Sequence, residues 1–133
     1  MAELQCIVVT PEQTVRETPA DFVTVTLFDG EIGIGPGHTP FIGRLGCGEM
    51  RIRHGNEVER FYVDGGFVEV VGNVVSLLTN RAIPADKIDD KAAYQQVETA
   101  RNQAAHTPEL MAAREQALAQ GRAQLRVVRR ALG

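Results

Sequence analysis

The segment from residue 50 to residue 79 reads MRIRHGNEVERFYVDGGFVEVVGNVVSLLT, and it decides the class of fold. Apolar and polar residues alternate on both sides of Gly55-Asn56, and apolar runs flank Gly72-Asn73. Alternation with a period of two is typical of strands that bury one face, and pairs of glycine and asparagine favour tight two-residue turns. The segment therefore predicts two consecutive β-hairpins.

Two stretches nearer the N-terminus have the same character. Leu4 to Thr10 (LQCIVVT) predicts a short strand, and Phe22 to Phe28 (FVTVTLF) alternates valine and leucine with threonine. Several short strands joined by tight turns predict an antiparallel sandwich or a flattened barrel over residues 1–84.

The composition changes near Pro84, beyond which alanine, glutamine, glutamate and arginine dominate. Asp86 or Asp89 can cap a first helix, and Thr107 followed by Pro108 is a strong start signal for a second one. The first helix carries a stripe of small residues, and the second carries a stripe with heptad-like spacing. The two stripes are Ala93, Val97, Ala100 and Ala104, and Met111, Leu118, Gly121, Leu125, Val128 and Leu132. The short connection predicts an antiparallel α-helical hairpin over residues 85–133, marginally stable by itself.

Arginines give the second predicted helix a positive face. Arg122, Arg126 and Arg129 are spaced at i, i+4 and i+7, which places them on one side of a helix. They can form a solvated face near the helix C-terminus, or a docking surface for an acidic segment of a partner. Nucleic acid is a weaker alternative, because this helix has no aromatic residues for stacking.

The glycine-rich stretch from Asp29 to Gly43 reads DGEIGIGPGHTPFIG. It lacks the lysine and the helix of a phosphate-binding loop, and Pro36 removes an N–H donor from its middle. His38 has too few neighbouring ligands for a metal site. The stretch therefore predicts a rigid, exposed connection rather than a ligand-binding loop.

Composition excludes several classes of function. A chain of 133 residues with a formal net charge of -3 has no general positive field for nucleic acid or for an anionic membrane. No apolar run is long enough to span a bilayer, and the opening MAELQCIVV lacks the features of a signal peptide, so we expect a soluble, cytosolic protein. Cys6 and Cys47 are expected to be reduced, and the three histidines suggest no catalytic constellation.

The motifs together carry a resemblance to a known family. The segment DGEIGIGPGHTPFIGRLGCGEMRI, then FYVDGGFVEVVGNVVSLLTNRAI, and finally AQLRV resemble the epsilon subunit of F-type ATP synthases over nearly the whole chain. The resemblance implies an α+β protein with a β-sandwich of about ten strands over residues 1–84 and a helical hairpin over residues 85–133. It also implies a non-catalytic rotor subunit, which couples proton flow through the c ring to ATP synthesis in the alpha/beta catalytic head.

The resemblance also implies roles for particular residues. The sandwich would bind the gamma subunit and the c ring, with Glu31, Gly37 and His38 in the contact loop. The hairpin would be a regulatory arm that inhibits ATP hydrolysis, with Arg122, Arg126 and Arg129 meeting an acidic segment of the beta subunit. The protein would lie on the cytoplasmic face of the bacterial inner membrane, peripheral to it.

Some members of the family bind ATP at the hairpin through a motif that this chain matches only in part. The chain reads IDDKAA from Ile88 to Ala93, so Ile88 and Asp89 match while Ala92 stands where the motif has arginine. Without that guanidinium we expect at most a weak nucleotide contact at Ile88 and Asp89, no tight ATP binding, and no other cofactor or metal.

A second interpretation is a free-standing β-sandwich binding module whose helices mediate self-association. Its support is the heptad-like stripe of the second helix. The mass of the isolated chain in solution distinguishes it from the rotor subunit, which is expected to be a monomer.

Overall fold

The computed structural model describes residues 3–133, so Met1 and Ala2 of the opening segment lie outside the described residues. Within this range the chain forms ten strands, a short 3-10 turn at Ala85–Lys87 and two α-helices. The strands are β1 (Leu4–Val9), β2 (Thr14–Ala20), β3 (Phe22–Leu27), β4 (Gly30–Ile34), β5 (Phe41–Arg44), β6 (Cys47–His54), β7 (Glu57–Asp64), β8 (Phe67–Val71), β9 (Val74–Leu78) and β10 (Ala82–Pro84); the helices are α1 (Asp90–Asn102) and α2 (Pro108–Leu132).

The strands form two five-stranded sheets packed face to face. The first sheet has the order β2-β1-β9-β8-β5 and the second has the order β10-β7-β6-β3-β4. Their inner faces supply the main core, which includes Val8, Val25, Ile52, Val68 and Leu77. This arrangement confirms the predicted ten-stranded sandwich followed by helices.

One strand pair differs from the predicted antiparallel pattern. β1 runs parallel to β9, with Gln5 beside Val74 and Val9 beside Leu78. Parallel neighbours need a long crossover connection, and here the strands between β1 and β9 supply it. The sheets are therefore antiparallel except at this pair.

Both predicted hairpins form, with the predicted turns. Gly72 and Asn73 connect β8 to β9 with φ angles of 56° and 64°. Two consecutive positive φ angles are the requirement of a type I′ turn, which explains the glycine and asparagine at these positions. Gly55, with φ of 63°, begins the two-residue connection between β6 and β7.

The interpretation of Asp29 to Gly43 as one exposed connection was wrong. Gly30–Ile34 is β4 and Phe41–Arg44 is β5, and they belong to different sheets, so only residues 35–40 connect them. The glycines of β4 obscure the alternating pattern by which a strand is recognised in the sequence. At Gly33, however, packing requires a glycine. A Cβ at Gly33 would lie 2.6 Å from Cζ of the Phe22 ring, which covers this strand.

The helices begin where the capping signals predicted. The Ala92 N–H donates to Asp89 Oδ1 at 3.0 Å, and the Leu110 N–H donates to Thr107 Oγ1 at 3.1 Å. These bonds satisfy N–H groups of the first turn that have no partner within the helix. α1 ends before Ala104, the last residue of its predicted stripe, and Ala104 is exposed.

The buried face of α2 differs from the predicted stripe. Leu118 and Gly121 are buried as expected, but the side chains of Met111 and Leu132 are 56% and 84% exposed. The reason is that α2 packs against α1 and also against β6 and β7 of the second sheet. A helix with two neighbours in different directions buries two short patches instead of one continuous stripe.

Candidate interaction surfaces

The outer face of the first sheet carries exposed apolar side chains on three neighbouring strands. We call this set the apolar face, and it comprises Ile42, Phe67, Val71, Val74 and Leu78, of which Phe67 and Leu78 are 55% and 56% exposed. Phe67 lies opposite Leu78, and Val71 lies opposite Val74. The Glu69–Ser76 pair lies between these two apolar pairs on the same outer face. Exposed apolar side chains clustered in this way mark sites of association rather than random surface positions.

The sequence analysis did not identify this surface. Its signal is present in β8 and β9, which read FVEVV and VVSLL: the inward positions are all apolar, and the outward positions are apolar except at Glu69 and Ser76. A strand that is apolar on both faces is normally covered on both faces. In this structure Val68 and Val70 of β8 point into the core, while Phe67 and Val71 are exposed.

A groove extends the apolar face at one end. It has a volume of about 420 Å³ and is lined by Phe67 and Leu78 together with Val9 and Pro11. Most of its lining is apolar, so it can receive an apolar side chain of a partner bound on the apolar face.

Gly37 and His38, two of the predicted contact residues, lie in the connection between β4 and β5. The Gly37 N–H donates to Asn73 Oδ1 at 2.8 Å, which ties the connection to the turn between β8 and β9. The His38 ring meets Phe41 edge to face with 6.2 Å between ring centroids. These contacts fix the conformation of the connection.

Glu31, the third residue of that predicted set, lies elsewhere. It is near the start of β4, whereas Gly37 and His38 follow the end of that strand. The Glu31 carboxylate is 3.4 Å from Arg51 Nη1, and it lines a groove of about 310 Å³ together with Arg126 and Arg130 of α2. Gly37 and His38 therefore lie together beyond one end of β4, whereas Glu31 lies near the other end of that strand.

A buried carboxylate connects α2 to the second sheet. The Glu49 side chain is 3% exposed, and its two oxygens accept hydrogen bonds from Arg51 at 2.6 Å, Arg60 at 3.0 Å and Arg130 at 3.2 Å. Burial by itself would raise the pKa of Glu49, but the bonds from the three guanidinium groups outweigh it and hold that pKa below its usual range. Arg130 belongs to α2, so this cluster includes an ion pair between the helix and the sandwich.

The three arginines predicted to form a docking face are all exposed on α2. Within residues 3–133, neither Arg122 nor Arg126 nor Arg129 forms an ion pair. Arg114 differs from them, because its Nε donates to the Ala100 carbonyl at 3.1 Å near the end of α1. The guanidinium groups of the predicted set are thus available while α2 is packed on the sheet.

Ile88 and Asp89, the two residues that match the nucleotide motif, have structural contacts in this chain. Ile88 packs against the apolar cluster of Tyr62, Ala123 and Val127 beneath α2. The Asp89 carboxylate caps α1. The expectation of no tight ATP binding at these positions stays a prediction.

Glu3, Asp21 and His54 place potential metal-ligand atoms within 4.8 Å of one another at the protein surface. Asp21 Oδ2 already accepts the Gly55 N–H at 2.6 Å, and His54 Nε2 lies 3.5 Å from the Glu3 carboxylate. Because exposed acidic groups often cluster in this way, the arrangement has a structural explanation.

The two cysteines are free. Cys6 lies in the core between the sheets, where burial raises the pKa of its thiol to about 12. Cys47 is half-buried beside α2. Among residues 3–133 there is no helix with the length and apolar character needed to span a bilayer.

Comparison with known proteins gives consistent matches. The family model described as the β-sandwich domain of the ATP synthase delta/epsilon chain matches residues 3–85. An ATP synthase epsilon chain from Rhodopirellula baltica is 43% identical over 126 residues, which cover 95% of this chain and 98% of that relative. The sodium ion specific ATP synthase epsilon chain of Propionigenium modestum is 34% identical, and the match covers 76% of this chain and 74% of the relative.

Solved structures with a similar fold include two chains of mitochondrial ATP synthases. One, from the Euglena gracilis complex, has a TM-score of 0.85 and 22% identity and covers 100% of this chain and 83% of its own length. The other, from the central stalk and c-ring of Tetrahymena thermophila, has a TM-score of 0.67 and 18% identity. That match covers 99% of this chain and 98% of the Tetrahymena chain. At these identities the likeness is evidence for the fold alone.

Proposed function

The chain belongs to the family of ATP synthase delta/epsilon chains, and from this premise we propose that it is a non-catalytic subunit of the rotating central stalk. In that role it couples ion flow through the c ring to ATP synthesis in the alpha/beta head. The match with the Rhodopirellula baltica epsilon chain includes both the sandwich and most of the helical region. The free-standing binding module is therefore not favoured.

The apolar face is the observation that carries this proposal. A rotor subunit must remain attached while it turns, and lasting contacts between subunits are built around apolar centres. We assign this surface to the gamma subunit, with the groove beside Phe67 and Leu78 as the position of an anchoring side chain.

The c ring is the partner that we propose for Gly37 and His38, as the family resemblance implies. Support comes from the ordered connection in which they lie, held by the bond from Gly37 to Asn73. We also propose Glu31 as a polar contact with the c ring, although it lies apart from Gly37 and His38 and faces α2. The subunit would then be peripheral, on the cytoplasmic face of the bacterial inner membrane.

The helical hairpin, residues 85–133, is proposed as the regulatory arm, and the sandwich, residues 1–84, as the part bound to the rotor. In its extended state the arm would inhibit ATP hydrolysis by placing Arg122, Arg126 and Arg129 against carboxylates of the beta subunit. The exposed guanidinium groups on α2 support this assignment.

A binding experiment with the gamma subunit tests the apolar face. Phe67→Glu combined with Leu78→Glu introduces two charges at the end of the apolar face that adjoins the groove, and we expect affinity for a gamma-containing complex to fall by about two orders of magnitude or more, as expected for buried unpaired charges. The matched control is Val58→Glu, since Val58 is 47% exposed on the other sheet. Equal affinity of both variants, each shown to be folded by circular dichroism, would remove the gamma assignment.

A further inference from the structure

A groove that contains three arginines lies on the outer face of the second sheet. We call it the arginine groove; it has a volume of about 350 Å³ and is lined by Phe22, Thr24, Arg51, Arg53, Val58 and Arg60. Among the described residues that line it, none is acidic. None of them belongs to the surfaces proposed above for gamma, the c ring or the catalytic head.

The register of the β6–β7 hairpin brings the three guanidinium groups together. Arg51 lies directly opposite Arg60, and Arg53 follows Arg51 by two residues on the same face of β6. Residues directly opposite each other are about 5 Å apart, and residues two apart along a strand are about 7 Å apart. Like charges at such distances repel one another unless anions lie between them.

The carboxylates beside the arginine groove neutralise only part of this charge. Glu49 accepts hydrogen bonds from Arg51 and Arg60. The same carboxylate is shared with Arg130 of α2. A second carboxylate, that of Glu31, lies 3.4 Å from Arg51. With Arg53 included, two carboxylates therefore serve four arginines, and a double positive charge remains.

Several hydrogen-bond donors of the groove are unused. Arg51 and Arg60 bond carboxylates through Nη1 alone, which leaves Nε and Nη2 of each without a partner within residues 3–133. Arg53 forms no ion pair in that range, and its guanidinium is held over the Phe22 ring, 5.4 Å from the centroid. A guanidinium fixed in this way can bind an anion at little cost in side-chain entropy.

Thr24 supplies an independent indication of a ligand. Its side chain lines the arginine groove although the residue is only 9% exposed. In the part of the chain that the structure describes, its hydroxyl forms no hydrogen bond. Buried hydroxyls normally have a partner, so an unpaired one beside three arginines indicates that the partner is an anion.

The neighbouring groove limits the size of that anion. It shares Val58 and Arg60 with the arginine groove, but it is also lined by Asp86 and Glu59. Carboxylates repel an extended chain of negative charges, so the ligand must be compact. A compact anion with two negative charges matches the double positive charge that remains.

We propose that the arginine groove binds a phosphate dianion, either inorganic phosphate or the phosphate group of a small phosphomonoester. The free N–H groups of Arg51, Arg53 and Arg60 bind its oxygens, because the planar fork of a guanidinium matches two oxygens of a phosphate. The Thr24 hydroxyl donates to a further oxygen. This site goes beyond the proposed rotor function and does not depend on it.

A titration of the isolated full chain, labelled with nitrogen-15 and followed by NMR, tests the site. Sodium phosphate is added at about pH 8, where phosphate is a dianion, and sodium chloride is lowered to keep the ionic strength constant. We expect saturable shifts of amides in β3, β6 and β7, with a dissociation constant of about 1 mM, as for two or three charge-assisted hydrogen bonds.

A parallel titration with glycerol 3-phosphate distinguishes the two sources of the dianion. Tighter binding than that of inorganic phosphate identifies a phosphomonoester as the ligand, and weaker binding identifies inorganic phosphate. Either result supports the site, provided that the shifts saturate and arise from the same three strands.

Two variants assign the binding to the groove. Arg53→Gln should raise the dissociation constant about tenfold, as for one lost charge-assisted bond, and Thr24→Val, which keeps the side-chain shape, should raise it severalfold. The matched controls are Arg129→Gln, at an exposed arginine on α2, and Thr14→Val, at an exposed threonine of β2. Both controls should leave the dissociation constant unchanged, and the same spectra show whether each variant is folded.

Shifts that rise linearly with phosphate, without saturation, would mean non-specific screening and would overturn the proposal. An unchanged dissociation constant in Arg53→Gln would do the same, and because Arg53 is exposed this variant does not depend on a change in the core. Since neither gamma nor the catalytic head is present, both results would leave the proposed function untouched, and a failure of gamma binding would leave the phosphate site untouched.

Discussion

At the residue scale, the register of the β6–β7 hairpin determines which charged side chains lie next to Glu49. The two-residue turn at Gly55-Asn56 places Arg51 opposite Arg60, and like charges directly opposite each other destabilise a sheet. Glu49 compensates by accepting bonds from both, one on each carboxylate oxygen. The alternation of side chains in β6 and β7 and the length of their turn bring these charged residues together. Their burial depends on α2, whose position cannot be predicted from the two strands alone.

Glu49 should make stability depend on pH on the acid side. Its pKa is lower in the folded chain than the ordinary value of 4.5, so its contribution is present above pH 4.5 and is lost as the pH falls through the folded value. We expect Glu49→Gln to cost about 1.5–3 kcal/mol of unfolding free energy at neutral pH, as for a lost charged hydrogen bond, and much less in acid. Urea denaturation at the two pH values measures the difference.

The matched control is Glu69→Gln, which changes an exposed glutamate on the outer face of the first sheet. Its effect should be small at both pH values. A Glu49→Gln penalty of the same size in acid as at neutral pH would contradict the carboxylate's role.

At the element scale, the crossing of α1 and α2 depends on small residues. A Cβ at Gly121 would lie 2.6 Å from Val97 Cγ2 and 3.1 Å from the Ala93 carbonyl oxygen. The predicted alanine stripe of α1 therefore meets a glycine of α2, and the helices approach closely at this point.

Gly121→Ala should weaken the hairpin although alanine favours helix. Overpacking costs about 1–3 kcal/mol and alanine returns about 1 kcal/mol of helix propensity, so we expect a net loss of up to about 2 kcal/mol. Hydrogen exchange of α1 amides measures it. Adding Val97→Ala should restore the space and recover part of the loss, while Gln116→Ala, at an exposed position, should change little.

Failure of Val97→Ala to recover any protection would mean that the close approach at Gly121 does not limit the packing. Faster exchange in the Gln116→Ala control would point to a general effect on α2 instead.

The elements that sequence analysis predicted are those with strong local signals. The paired hairpins and both helix caps depend on nearby residues, and the structure confirms them. β2, β4, β5 and β10 were not predicted, because proline or glycine within them masks the strand pattern and their pairing partners are distant. The apolar face was missed for a related reason, since exposure of an apolar strand depends on what covers it.

At the scale of the whole molecule, the arm and the sandwich should have separable effects. A chain that ends after Lys87 keeps all ten strands and loses α1 and α2. If the hairpin inhibits ATP hydrolysis by the assembled head, the full chain should inhibit and the shortened chain should not, while both bind gamma.

Arg122→Ala combined with Arg126→Ala should reduce that inhibition about tenfold or more, as the loss of two charge-assisted contacts implies. Arg101→Ala plus Arg53→Ala removes two exposed arginines outside α2 and serves as the control for net charge. Inhibition by the shortened chain equal to that of the full chain would remove the regulatory assignment and keep the rotor role.

The parallel pair of β1 and β9 also has a consequence for synthesis. β1 is made first, yet its neighbour β9 is among the last strands to leave the ribosome, and Gln5 pairs only with Val74 and Pro19 along this sheet. The first sheet cannot close before the chain has emerged to about Leu78, whereas the hairpin of β6 and β7 needs only neighbouring segments of the chain. Contacts between such distant positions slow folding, and nascent chains shorter than this expose the apolar strands to chaperones.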